Sequence, residues 1–266
     1  MSWKNIKTFL ILLFVIINAY LIFSTNGMIF KKSTVTYFNK DTIEDAAKVA
    51  KTNFNVSLSA DIVPTQVKNL KNLSVTNLIY TDKFKNSDYN PTIIGAGFEI
   101  NIKTNTFSYN EKNAKEQVEK ILDEIGISKE TFVLKSYKAD EGLVCNASQV
   151  IGDYPLFNGR IKAVCVSSKI TVSGTWYITE THAKANPLAK MADLTSVIID
   201  AADRFEKSDG SKTVITSVDY GYYVTSHDES IVSKSSPAIP CYMVKTDGGL
   251  KYYYDATNGK AIKQED

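Results

Sequence analysis

The chain has 266 residues, 44% hydrophobic and 23% charged, a balance that supports a packed core and excludes a disordered polymer. Its 31 basic and 29 acidic residues leave a net charge of +2, which is not the clustered basic footprint of a nucleic-acid-binding protein. Fifteen Tyr and only six Pro favour sheet over coil.

Met1 to Lys7 carries Trp3, Lys4 and Lys7, and Phe9 to Phe23 follows as an apolar run broken by Asn18. Counted from Ile6 the run is about 18 residues, near the minimum for a helix crossing a hydrocarbon core. The run exceeds the apolar stretch of a signal peptide, and Ser24-Thr25-Asn26-Gly27 offers no small-x-small cleavage site. These features predict an uncleaved transmembrane helix. Trp3, Lys4, Lys7 and Tyr20 are expected at the membrane interface. Asn18, with Phe14 and Leu21, is expected to face a partner helix, because polar side chains and close packing drive helix association in lipid. Lysines lie on both sides of the run. The composition of the long downstream segment sets the expected orientation, with a cytoplasmic amino terminus and an extracytoplasmic domain.

Beyond the run, Asp41 to Lys51 reads as a helix with a capping box of Asp41 and Glu44 and a stripe of Ile43, Ala46, Ala47 and Ala50. Strands follow, ending in Phe98 to Lys103 and Thr106 to Tyr109. Asn110 caps a second helix lined by Ala114, Val118, Ile121, Leu122 and Ile125, and Gly126 stops it. Strands are expected over Phe132 to Tyr137, Leu143 to Ile151, Arg160 to Val166 and Ile170 to Thr181. A third helix is predicted from Asn186-Pro187, with a stripe through Leu188, Met191, Leu194, Ile198, Ala202 and Phe205. Strands over Thr213 to Val224, Cys241 to Thr246 and Leu250 to Tyr254 close the chain. The expected fold is therefore α+β: an N-terminal transmembrane helix, then repeated units of one helix and an antiparallel meander, each sheet covered by its own helix. The expected divisions are 1–30 for the anchor and spacer, 31–110 for a first subdomain, and 111–266 for a domain of two units.

Three cysteines, Cys145, Cys165 and Cys241, make no full disulfide framework, and with His182 and His227 they match no zinc spacing. Cys145 and Cys165 are symmetric about Pro155; a hairpin there would make them cross-strand partners, either bonded or simply buried.

The opening Met1-Ser2-Trp3-Lys4-Asn5-Ile6-Lys7-Thr8 resembles the start of the YycI family. Later segments agree in order: Tyr154 to Asn158, Arg160 to Thr171, Val218 to Tyr222, Pro240 to Val244, and Tyr253 to Gly259. Cys241 stands where that family is expected to carry Trp. The resemblance implies a YycH/YycI-like, membrane-anchored accessory protein of the WalK–WalR (YycG–YycF) two-component system, which controls cell-wall metabolism in Gram-positive bacteria. It implies contact with a sensor histidine kinase of the WalK type through the transmembrane helix, and a YycH-like companion protein.

No nucleophile elbow, phosphate loop or His-Glu-x-x-His is present, so no catalytic, cofactor or metal residue is expected. His182 beside Glu180, His227-Asp228-Glu229, and Asp200 with Asp203 read as solvated groups, and Asp247-Gly248-Gly249 as a turn. Asp255, Asn258 and Gly259 lack the alternating oxygens of a calcium loop. The alternative is a PepSY-type anchored binding module that takes a peptidase or small ligand. A pilin-like component is disfavoured because no acidic residue precedes Asp41.

Overall fold

The computed structural model describes residues 35–104, 109–140, 142–179, 191–209, 212–225 and 235–265, with Leu13, Phe14 and Ile17. The apolar run lies outside the described residues except for those three. No helix among the described residues is long and apolar enough to cross a membrane.

The chain begins with β1 (Val35–Tyr37) and α1 (Lys40–Phe54). Asn39, rather than Asp41, caps α1 by accepting from Asp41 N, and Asn55 ends the helix in the left-handed region at φ 55°. Short strands β2 (Val56–Ser57), β3 (Gln66–Lys68) and β4 (Leu73–Asn77) and a one-turn helix α2 (Asp82–Lys85) fill the region where strands without set bounds are expected. After β5 (Thr92–Ile94) and β6 (Gly97–Lys103) comes α3 (Glu111–Glu124), whose capping box pairs Asn110 with Asn113. Gly126, at φ 102°, follows its end, as expected of a residue without Cβ at that position.

Long strands then dominate: β7 (Phe132–Ala139), β8 (Gly142–Ile151), β9 (Tyr154–Val166), β10 (Lys169–Thr175) and β11 (Tyr177–Thr179). The chain closes with α4 (Leu194–Asp209), β12 (Thr213–Val224), β13 (Ser235–Thr246), β14 (Lys251–Asp255) and β15 (Ala261–Glu265).

Thirteen of these strands form one sheet, with the path β11-β4-β13-β12-β9-β10-β6-β5. The hairpin β14–β15 hangs on β13, β7 and β8 hang on β9, and β2 pairs with β12. Among the described residues only the β12 pairings with β2 and β9 are parallel; β1 and β3 make a separate two-stranded ribbon. This overturns the expected series of helix-plus-meander units with separate sheets behind a transmembrane helix. The first two soluble-domain helices and most strands occur where their patterns place them, but α4 begins at Leu194 and leaves Met191 outside it, the expected cap Asn186-Pro187 and Leu188 lie outside the described residues, and the strands choose distant partners. Leu73 on β4 pairs with Ala238 on β13, and Ile100 on β6 pairs with Val172 on β10. Periodicity reports which face of a strand is buried, not which strand lies beside it.

Two cores result. Residues 78–176 supply one, under α3, with Phe84, Phe98, Ile100, Leu122, Ile161, Val172 and Trp176. The flanking segments, with Leu156 of β9, supply the other, where α1 and α4 pack on one face of β12–β14. Phe205 of α4 is fully buried, edge-on to Tyr252 at 4.9 Å. Burial of such a side chain stabilises by about 1.5–3 kcal/mol. The middle of the chain is thus an excursion between β4 and β11, which pair directly, Tyr177 with Asn77.

Candidate functional site

The N-terminal segment joins the folded domain at β1. That strand is held by its pairing with β3, by the Thr36 hydroxyl donating to Asn69 Oδ1 at 2.7 Å, and by Phe38 N donating to Thr65 O at 2.8 Å. Beside it opens a groove of about 540 Å³, floored by Phe38, Met191 and Ala192 and rimmed by Tyr37, Asp193, Ser196, Thr257 and Asn258. Its walls come from three remote stretches.

Local chemistry builds each wall. Asp193 stands at the start of α4, accepting from Thr195 N at 3.1 Å and from the Ser196 hydroxyl at 3.2 Å. Asp255 folds the opposite turn by accepting from Thr257 N and Asn258 Nδ2, both at 2.7 Å. The two walls are tied by Ala192 N donating to Ala256 O at 2.8 Å. The rim is therefore hydroxyl, amide and carboxylate, and the floor is apolar.

Behind the groove lies a packed layer of tyrosines. Phe38 meets Tyr242 edge-on at 6.3 Å, and Tyr242 lies 5.3 Å from Tyr220. The Tyr220 hydroxyl contacts Met191 Sδ at 3.7 Å and accepts from Leu70 N. Burial pushes the phenols of Tyr220 and Tyr242 well up from their ordinary value, and that of Tyr222 up to about 12. The Tyr242 hydroxyl, fully buried, makes no hydrogen bond among the described residues.

Of the expected membrane and partner residues, Phe14 is helical and 69% exposed. Trp3, Lys4, Lys7, Asn18, Tyr20 and Leu21 lie outside the described residues, as do His182 and His227. Asp200 is held by Arg204 at 2.6 Å along α4. Asp247 serves a hairpin turn, accepting from Val214 N and Gly248 N. A second, acidic cleft of about 760 Å³ lies between α2 and the end of α3, lined by Asp82, Asp88, Asp123 and Glu124, with the Tyr89 hydroxyl donating to Glu124. Among the described residues no group of three or more His, Cys, Asp or Glu is placed to hold a metal.

The cysteine geometry differs from the simple hairpin reading. The β8–β9 turn is at Gly152-Asp153, and the register sets Cys145 opposite Ala163 and Cys165 opposite Leu143. The two thiols are diagonal neighbours, and all three cysteines are free and buried.

No protein-family model and no curated protein matches the chain. Among solved structures it is similar to the crystal structure of an uncharacterized protein from Eubacterium rectale ATCC 33656, at 9% identity and a TM-score of 0.47, over 84% of this chain and 98% of that one.

Proposed function

We propose that this protein is a non-enzymatic accessory protein, held at the cell membrane by its N-terminal apolar segment, that regulates a sensor histidine kinase of the WalK type alongside a YycH-like companion. The observation that carries the reading is the apolar run Phe9 to Phe23, preceded by Trp3, Lys4 and Lys7 and followed by a folded domain. The YycI-like opening supports it. So does the mounting of β1, whose hydrogen bonds to β3 and Asn69 couple the N-terminal segment to the domain.

The mechanism is a population shift. A tether helix that packs better against one signalling state of the kinase favours that state by its difference in affinity, and a few kcal/mol suffice to move the equilibrium. Asn18 supplies one interhelical hydrogen bond, worth about 1 kcal/mol in lipid.

The groove beside β1 favours a second reading, a tethered module whose external domain binds a small polar ligand or a peptidase segment. One experiment separates them. The run is replaced by an unrelated apolar helix of equal length, export is verified, and kinase output is measured. Loss of regulation with the domain still exported supports the tether reading; unchanged regulation transfers the activity to the domain.

A further inference from the structure

The excursion of residues 78–176 packs α3 against one face of its half-sheet; the opposite face carries exposed lysines among half-buried side chains, with Val144 buried in it. The register identifies that opposite face. Tyr137, Val144, Val164, Thr171 and Asn101 form one row across β7, β8, β9, β10 and β6. Lys135, Asn146, Lys162, Ser173 and Glu99 form the next. Lys169 and Lys103 lie at the end of the same face, directly opposite each other on β10 and β6.

Two features set this face apart. Lys103, Lys135, Lys162 and Lys169 are all exposed, and among the described residues none forms an ion pair, although six ion pairs occur elsewhere. The one acid in these rows, Glu99, accepts from Asn101 Nδ2 at 2.6 Å. Secondly, like charges directly opposite on antiparallel strands have Cβ atoms about 5 Å apart and destabilise the sheet. The Lys103–Lys169 pair breaks a local rule with no compensating acid. Such violations are expected where function outweighs stability.

The geometry points to this face as a docking surface for a linear polyanion, a soluble inorganic polyphosphate chain. Spacing excludes one small anion. Lys135 and Lys162 stand two strands apart, about 9–10 Å, and Lys169 lies four residues along β10 from the partner of Lys162, about 13 Å. A chain carrying a negative charge every few ångströms reaches all four, whereas a single phosphate reaches only the Lys103–Lys169 pair. Between the cations stand Asn101, Asn146, Thr171 and Ser173, hydrogen-bonding groups that suit phosphoryl oxygens. This inference is independent of the kinase reading.

The test uses the full chain in detergent micelles and end-labelled inorganic polyphosphate, followed by fluorescence anisotropy across a salt series. Binding is expected, with log K falling linearly against log salt. Lys103→Gln/Lys169→Gln and Lys135→Gln/Lys162→Gln should each weaken it and reduce the slope by about 1 to 2. Lys48→Gln/Lys120→Gln, on α1 and α3, should leave it unchanged. Lys169→Glu should raise the thermal midpoint by relieving the like-charge pair while weakening binding. That opposite pair of signs separates a ligand role from a folding defect. Unchanged affinity in both face variants overturns the proposal. So does equal competition by orthophosphate at matched phosphate concentration, which marks a single-ion site. Lysine-dependent flotation with phosphatidylglycerol vesicles without polyphosphate binding also overturns it, marking a lipid surface.

Discussion

The side-chain amide of Gln149 closes on both backbone groups of Tyr177, its Nε2 donating to Tyr177 O and its Oε1 accepting from Tyr177 N at 3.2 Å. Gln149 is 2% exposed and sits at a register shift in the β8–β9 ladder, where β9 leaves β8 to meet β12. Its carboxamide stands in for one residue of a missing strand. Asn158 does the same for Val224, donating to its carbonyl at 2.9 Å and accepting from its N–H at 3.0 Å. Two amide side chains thus patch the seam between the two cores, where the backbone ladder stops.

Gln149→Leu keeps the volume but leaves a buried N–H and a buried C=O without partners. At about 1–3 kcal/mol each, the loss should be about 2–6 kcal/mol in urea unfolding of the external domain. Gly159→Ala should damage the same junction, because a Cβ there would stand 2.3 Å from Gln149 Oε1. A double variant that loses no more than the worse single one would establish that the two act at one site.

Part of both cores was legible in the sequence. Asn110 and Gly126 bound α3 as their chemistry requires, and β12 spans Thr213–Val224, the expected range. Ile170 to Thr181 reads as one strand because its apolar alternation is unbroken. In the fold it splits at Trp176, whose side chain fills the core under α3 while its carbonyl accepts from Leu78 N. Met191 fits the helical stripe by spacing yet precedes α4 and packs under the groove, so burial there is a tertiary fact. The groove itself was not legible. Tyr37, Asp193 and Asn258 share no motif and meet only through the fold.

The cysteine register predicts free thiols. Diagonal neighbours across a pair of strands stand about 7–8 Å apart at Cα, beyond the span a disulfide ordinarily bridges. Thiol titration of protein unfolded without reductant should count three thiols; a count of one would mean that Cys145 and Cys165 are joined.

Stability should fall in acid through Glu265. Burial pushes its carboxyl up, but the Tyr253 hydroxyl at 2.8 Å and the Arg160 guanidinium at 2.8 Å reverse this and hold it below the ordinary value. A depressed folded pKa adds stability that is present above the unfolded value and lost as pH falls through the folded one. The loss should therefore appear below about pH 4.3, and Glu265→Gln should flatten that part of the profile. An unchanged profile would remove Glu265 from the account.

The buried tyrosines give the opposite limb. Tyr220, Tyr222 and Tyr242 have raised folded pKa values, so the stability they add is complete below about pH 10 and lost as pH rises toward their folded values. Phenolate absorbance from these residues should appear together with unfolding in an alkaline titration. Gradual ionisation without unfolding would mean that the layer behind the groove is open to water.

The most direct measurement is photo-crosslinking in intact membranes from positions 14, 18 and 21, with Tyr37 and Asn258 on the groove rim as comparison. Helical periodicity and the polar side chain of Asn18 make the tether the expected contact. The account predicts that photo-reactive residues at 14, 18 and 21 yield an adduct identified by mass as a sensor histidine kinase, while the groove positions do not. Kinase adducts from Tyr37 or Asn258 alone, with none from the tether, would contradict it and assign the contact to the external domain.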